Sequence, residues 1–293
     1  RCAVACANGT AALHLAMLAL RLGPGDIAVT TPNTFVADAN CGRYVGADVR
    51  FVDIDPGTGN MSPDSLASAL ADDTGKRIKA VVVVHFAGQP ADMLRISQLA
   101  RAHGAFVVED ACHALGARYD ADGTEIRVGS CRHSDLTVFS FHPVKHVATG
   151  EGGALSTNSP ELETRLKLYR SHGIARDNFE CREMALDPIG TTNLWYYEMQ
   201  ELGFNYRLTD IQAALGLSQM KRLRLSLDRR NDLAEQYGEL LSERFADGEV
   251  RPLALRDDCY HAYHLYVVQV DFERLRIRRN ALVGRLRECG IGT

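Results

Sequence analysis

Four groups of residues in this chain have the types and surroundings to do chemistry. Lys145 follows Val138-Phe139-Ser140-Phe141-His142-Pro143-Val144 and precedes Thr149-Gly150-Glu151-Gly152-Gly153. An amine is thereby placed at the end of an apolar strand, against a glycine-rich turn. Desolvation at such a place favours the uncharged, nucleophilic amine and a Schiff base with a carbonyl. Phe106-Val107-Val108-Glu109-Asp110-Ala111 ends a second buried strand in two acids, and ligands of open α/β sheets bind at the carboxyl ends of the strands. Asn8-Gly9-Thr10-Ala11-Ala12-Leu13 reads as a capped helix start, whose free amides attract anions. Phe35 follows a strand closely and offers an aromatic face. Each group also has a plain structural reading: a solvated lysine, a capping aspartate, an ordinary helix start, a packed aromatic. Their convergence is what carries weight.

Short β-branched runs alternate with helix-period segments from residue 9 to 157, which predicts crossover units and a mostly parallel sheet. Strands are expected at Ile27–Thr31, Val49–Ile54, Lys79–Phe86, Ala105–Glu109, Asp135–Phe141 and Ala154–Thr157, with Ala3-Val4-Ala5 ending an earlier one. Helices are expected at Thr10–Leu22, Val36–Val45, Ser62–Leu70 and Met93–His103, and then at Pro160–Arg170 and as one run over Thr209–Arg244. The stretch 171–205 is irregular and reads as a lid or interface segment. A strand over His264–Asp271 and a helix over Glu273–Glu288 read as the start of a second, smaller unit. The expected division is a large α/β domain over 1–235 and a truncated small domain over 236–293. Arg1 is not an initiator, and both ends read as cut.

Composition narrows the function. The 293 residues are 46% hydrophobic and 24% charged, with 33 Lys+Arg against 37 Asp+Glu and no run of like charge. Nucleic acid is therefore not an expected partner. The longest apolar run, Ala80–Val84, is far short of the ~20 residues of a membrane span. Eight scattered cysteines without a Cys-x-x-Cys pair read as reduced thiols of a cytoplasmic protein. Neither phosphate-cradling glycine motif, G-x-G-x-x-G or G-x-x-x-x-G-K-[ST], occurs, and no G-x-S-x-G nucleophile elbow is present. Cys259-x-His261-x-x-His264 has poor metal spacing, and His85 reads as a satisfied core histidine. No metal is expected.

An anion cradle, a strand-end carboxylate, a strand-end lysine and an aromatic face are the four things pyridoxal phosphate needs: a phosphate site, an acid on its ring nitrogen, an amine for its aldehyde and a face for its ring. At this point the sequence resembles the fold-type I, pyridoxal-phosphate sugar aminotransferases of the DegT/StrS family, from residue 3 to about 292. Five blocks in family order carry the resemblance: Asn8–Leu13, Thr31–Ala37, Glu109–Ala117, Ser140–Lys145 and Gly203-Phe204-Asn205-Tyr206-Arg207.

The resemblance implies that Lys145 forms the Schiff base, Asp110 pairs with the pyridinium nitrogen, and the Thr10 and Ala11 amides with the Ser140 hydroxyl hold the phosphate. It further implies that Phe35 stacks on the ring, that His113, at a position often Gln in relatives, contacts the ring hydroxyl side, and that Asn205 reaches the phosphate from a neighbouring subunit of a homodimer. Phe141–Lys145 and Trp195-Tyr196-Tyr197-Glu198 running into Leu202–Leu217 are most similar to the branch serving pseudaminic acid synthesis, with a departure at His146-Val147-Ala148. That branch implies transfer from L-glutamate to the C4 ketone of a UDP-linked 4-keto-6-deoxy-N-acetylhexosamine. The alternatives are another nucleotide keto-sugar (GDP-perosamine or dTDP-amino-sugar type), a dehydratase of the branch that replaces the lysine with histidine, which Lys145 argues against, and a non-catalytic cofactor-binding regulator.

Overall fold

A computed structural model describes residues 2–292; Arg1 and Thr293 lie outside the described residues. In chain order the first half holds β1 (Cys2–Cys6), α1 (Gly9–Ala19), β2 (Ile27–Thr30), α2 (Ala37–Tyr44), β3 (Asp48–Phe51), α3 (Pro63–Asp72), β4 (Ile78–Val84), α4 (Met93–His103), β5 (Phe106–Asp110), β6 (Arg118–Ala121), β7 (Thr124–Arg127), β8 (Leu136–Ser140), β9 (Gly153–Thr157) and α5 (Pro160–Arg170). Seven strands form one sheet in the order β1-β9-β8-β5-β4-β2-β3. The five from β8 to β3 run parallel, while β9 and β1 add an antiparallel edge.

The central strands are buried on both faces, which is why they read as unbroken apolar runs. On β4, Ala80 and Val82 join α1, α2 and α5 in one core, whereas Val81 and Val83 join α3 and α4 in the other. Helix ends follow local chemistry. Asn8, Ser62, Asp92 and Ser159 each cap a helix by accepting a backbone N–H, and Gly104 stops α4 in the left-handed conformation.

Several boundaries differ from expectation. The run over Thr209–Arg244 is two helices, α7 (Asp210–Met220) and α8 (Leu223–Arg244), following a short α6 (Arg182–Ala185) and the two-residue strands β10 (Ile174–Ala175) and β11 (Glu198–Met199). Because α8 is unbroken from Leu223 to Arg244, a division at residue 235 cuts a helix. Beyond it come β12 (Val250–Pro252), β13 (Cys259–Tyr260), β14 (Val268–Val270) and α9 (Arg279–Glu288). The strand expected from His264 begins only at Val268. The amides of Ala262 and Leu265 instead donate to Gly88 and Ala87 in the turn after β4. The helix expected from Glu273 begins at Arg279, beyond Arg276 in the left-handed region (φ 49°). β13 pairs with β6, which forms with β7 a hairpin that tethers this later segment to the large sheet unit. No helix among the described residues is long and apolar enough to cross a membrane.

Candidate active site

The carboxyl ends of β2, β4, β5 and β8, with the start of α1, surround a cleft of about 630 Å³. Six of the eight predicted site residues line it: Thr10, Phe35, Asp110, His113, Ser140 and Lys145. Ala11 does not. Its N–H donates to Asn8 Oδ1 at 2.8 Å, so the residue that caps α1 also takes up that amide. The amides of Gly9 and Thr10, which have no acceptor inside the helix, are left as the anion-facing pair. Asn205 does not line the cleft either; it is exposed and bridges to Ser171.

Gly9 lets the helix start approach the sheet. A Cβ there would lie 3.0 Å from Ser140 Cβ and 3.3 Å from Cys112 Sγ. The loop carrying Lys145 is closed at its base by Phe141 N–H on Gly152 O (2.7 Å) and Thr149 N–H on Phe141 O (2.9 Å), and Lys145 N–H donates to His142 O (2.9 Å). Its side chain is half-buried, and the loop is further held by the Thr149 hydroxyl donating to Glu151 O at 2.6 Å. His142 and Glu151 face each other across the rim at 4.0 Å.

Asp110 is buried, and its Oδ1 accepts the Cys112 N–H at 2.8 Å. Phe35, by contrast, is 72% exposed, a large aromatic face open to the cleft. His113 is pushed down to about 4, first by burial and then by the Lys145 charge. Its Nδ1 is buried without a partner and its ring sits 4.3 Å from that of His264.

His146 turns away from the cleft. It is buried with Nε2 at 2.9 Å from Ala262 O, which makes Nε2 the protonated nitrogen, and burial lowers it to about 4. The departure at His146-Val147-Ala148 therefore begins behind the cleft. His261 stacks on Tyr263, His264 lies tilted against His113, and the Cys259 thiol donates to Arg256 O, so the three residues of the cysteine-histidine cluster near 260 have separate partners. His85 is a satisfied core histidine: its Nδ1 accepts the Ala91 N–H and its Nε2 donates to Glu109, which also accepts from Ser134 and Thr137.

One residue of the site escaped the sequence reasoning. Asp38, on the first turn of α2, is 1% exposed and has the Asp110 carboxyl as a charged neighbour, with one oxygen accepting from the Thr34 hydroxyl and Oδ1 unpartnered. An acid three residues after Phe35, on a helix that otherwise buries small residues, was the available signal.

Bare helix amides with a facing hydroxyl, a buried carboxylate with an oxygen to spare, an amine and an open aromatic face are what a phosphorylated, cationic aromatic aldehyde requires. The unpartnered buried His113 Nδ1 and the close fit at Gly9 mark the cleft as built to receive a ligand. The residues present fit pyridoxal phosphate.

Comparison with known proteins agrees. The profile of the DegT/DnrJ/EryC1/StrS aminotransferase family matches residues 1–293. The spore coat polysaccharide biosynthesis protein SpsC of Bacillus subtilis is 39% identical over 292 residues, covering 99% of this chain and 70% of that protein. A candidate sugar aminotransferase, Spr1654 of Streptococcus pneumoniae, solved in its PLP form, superposes with a TM-score of 0.80 at 28% identity, over 99% of this chain and 71% of that one. PseC of Helicobacter pylori, an aminotransferase of pseudaminic acid biosynthesis, superposes with a TM-score of 0.79 at 29% identity, over 99% and 71%. The expected fold class, an α/β fold-type I aminotransferase with a large, mostly parallel sheet, holds.

Proposed function

The chain belongs to the DegT/DnrJ/EryC1/StrS aminotransferase family and is a pyridoxal-phosphate-dependent sugar transaminase, and from that premise we propose that it moves the amino group of L-glutamate onto the C4 ketone of a UDP-linked 4-keto-6-deoxy-N-acetylhexosamine. The observation that carries the assignment of roles is the convergence of Lys145, Asp110, Phe35 and the α1 start on one cleft. The likeness to PseC, with the sequence blocks at Phe141–Lys145 and Trp195–Glu198, supports the choice of sugar.

When bound, the cofactor supplies an aldehyde that takes up the donor's nitrogen and an electron-withdrawing ring. Lys145 would anchor the cofactor covalently through Nζ and, when its amine is free, would be the base that holds the proton lost from the substrate carbon bearing nitrogen until the cofactor's aldehyde carbon takes it up. Asp110 would pair with the protonated ring nitrogen through its carboxylate. The Gly9 and Thr10 amides and the Ser140 hydroxyl would bind the phosphate, Phe35 would cover the ring, and neutral His113 would meet its hydroxyl edge.

A homodimer completes the site. Helix α7 buries no residue within the chain and carries Ile211 and Leu217 exposed, and Leu194 and Trp195 stand exposed in the segment before it. An exposed apolar surface of this kind marks an interface. It suits a second copy, from which the partner subunit's Asn205 reaches the phosphate.

The test is direct. Purified protein with pyridoxal phosphate and L-glutamate is offered UDP-, GDP- and dTDP-linked 4-keto sugars, and products are read by mass spectrometry. An amino sugar formed from the UDP substrate alone or preferentially supports the assignment. Amination of only the GDP or dTDP substrates overturns the choice of sugar.

A further inference from the structure

We propose that Asp38 is a protonated acid that donates a hydrogen bond to the Asp110 carboxylate, and so acts as the positioning residue that fixes where the negative charge under the cofactor ring sits. The proposal rests on the reading of Asp110 as the partner of the ring nitrogen, and it is carried by geometry. Asp38, on the first turn of α2, keeps a buried oxygen, Oδ1, with no donor from the protein, and the Asp110 carboxyl at the end of β5 is its charged neighbour. Asp38 is the deeper of the two, 1% exposed against 7%, and it does not line the cleft. Asp110 opens onto the cleft and already accepts the Cys112 N–H.

Two adjacent carboxylates in a dry site cannot both stay ionised, and the proton goes to the one that water and cations stabilise least. Burial and the facing Asp110 both push Asp38 well above the usual carboxylate range, while the Thr34 hydroxyl and the charge of Lys145 act in the opposite sense and more weakly. The other titratable groups facing the pair are the Cys41 and Cys112 thiols, which burial keeps neutral, and His113 beside Asp110, which burial also keeps neutral. A neutral Asp38 also accounts for its own bonding. One oxygen accepts from Thr34, and the oxygen without a protein donor, Oδ1, is free to carry the proton toward Asp110. The Asp110 carboxylate then receives donors from Cys112 N–H and Asp38 O–H and keeps lone pairs for a cation in the cleft.

The experiment compares wild type with D38N and D38A in the full chain. In the cofactor-free protein at neutral pH, the infrared difference spectrum of wild type minus D38N should show the carbonyl stretch of one protonated carboxyl. In titrations with pyridoxal phosphate, D38A should bind about tenfold more weakly, as expected for an unsupported charged hydrogen bond. D38N keeps an N–H donor and should recover most of that loss. Absence of the protonated-carboxyl band, or equal damage from D38N and D38A, overturns the proposal. D110A separates it from the reading beneath it: if D110A binds the cofactor as wild type does, the role of Asp110 fails, whereas the infrared band still reports on the Asp38 proton.

Discussion

Gly153 opens β9, pairs with Cys6 and Ser140, and has no need of a left-handed backbone. It is glycine because the helix start presses on it. A Cβ at this position would lie 2.5 Å from Asn8 O, 2.6 Å from Asn8 C and 3.0 Å from Gly9 N, all backbone atoms that no rotamer change can withdraw. Restoring an ordinary contact of 3.4 Å from 2.5 Å requires the Asn8–Gly9 peptide to move by about 0.9 Å. Gly153→Ala should therefore cost about 1–3 kcal/mol of stability through overpacking. It should also pull at least one amide away from the bound phosphate. A hydrogen bond to a charged group contributes about 1.5–3 kcal/mol, so the dissociation constant for pyridoxal phosphate should rise by about 10- to 150-fold. Calorimetric unfolding and an absorbance titration with the cofactor measure the two effects. Gly23→Ala, which meets nothing within 4 Å at an ordinary φ, is the control, and should stay within about 0.5 kcal/mol of wild type. A Gly153→Ala protein that melts and binds like wild type would refute the argument that the α1 start is the phosphate cradle held by this contact.

Other outcomes follow from the same geometry. Burial lowers His146 to about 4 and His261 to about 3, so the stability these neutral histidines contribute is fully present above the unfolded value of about 6.5. It is lost as the pH falls, by about 3 kcal/mol for each at pH 4. Asp38, raised in the folded state, works in the opposite sense, so urea midpoints across this range should fall less steeply for wild type than for D38N. Glu109→Gln leaves His85, Ser134 and Thr137 facing a weaker acceptor inside the sheet and should cost about 2–3 kcal/mol in chemical denaturation. Replacing Ile211 and Leu217 together by Asp should shift sedimentation from dimer to monomer and weaken cofactor retention; a variant that remains dimeric would place the interface elsewhere.

Much of this architecture is legible in the sequence, for identifiable reasons. Helices α4 and α5 run over the residues expected because Asp92 and Gly104 bound one and Ser159-Pro160 opens the other. The cleft-lining positions at strand ends are legible because buried parallel strands are continuous apolar runs and polar residues begin where the run stops. The β6–β7 hairpin went unread although Asp122-Gly123, both in the left-handed region, is the two-residue turn that joins such strands. The break between α7 and α8 at Lys221-Arg222 carries neither glycine nor proline and leaves no mark in the periodicity. The Ala11 amide could not be placed by motif alone, since whether a cap side chain or a ligand takes it depends on the Asn8 rotamer. Asp38 is visible only once α2 is folded against the end of β5.

The most direct measurement is the visible absorption spectrum of the purified protein with pyridoxal phosphate, before and after L-glutamate, for wild type and Lys145→Ala. The account predicts a coloured wild type that bleaches on adding glutamate, and a Lys145→Ala protein that lacks the lysine-linked band and turns over no substrate. A Lys145→Ala protein with wild-type colour and activity would contradict it.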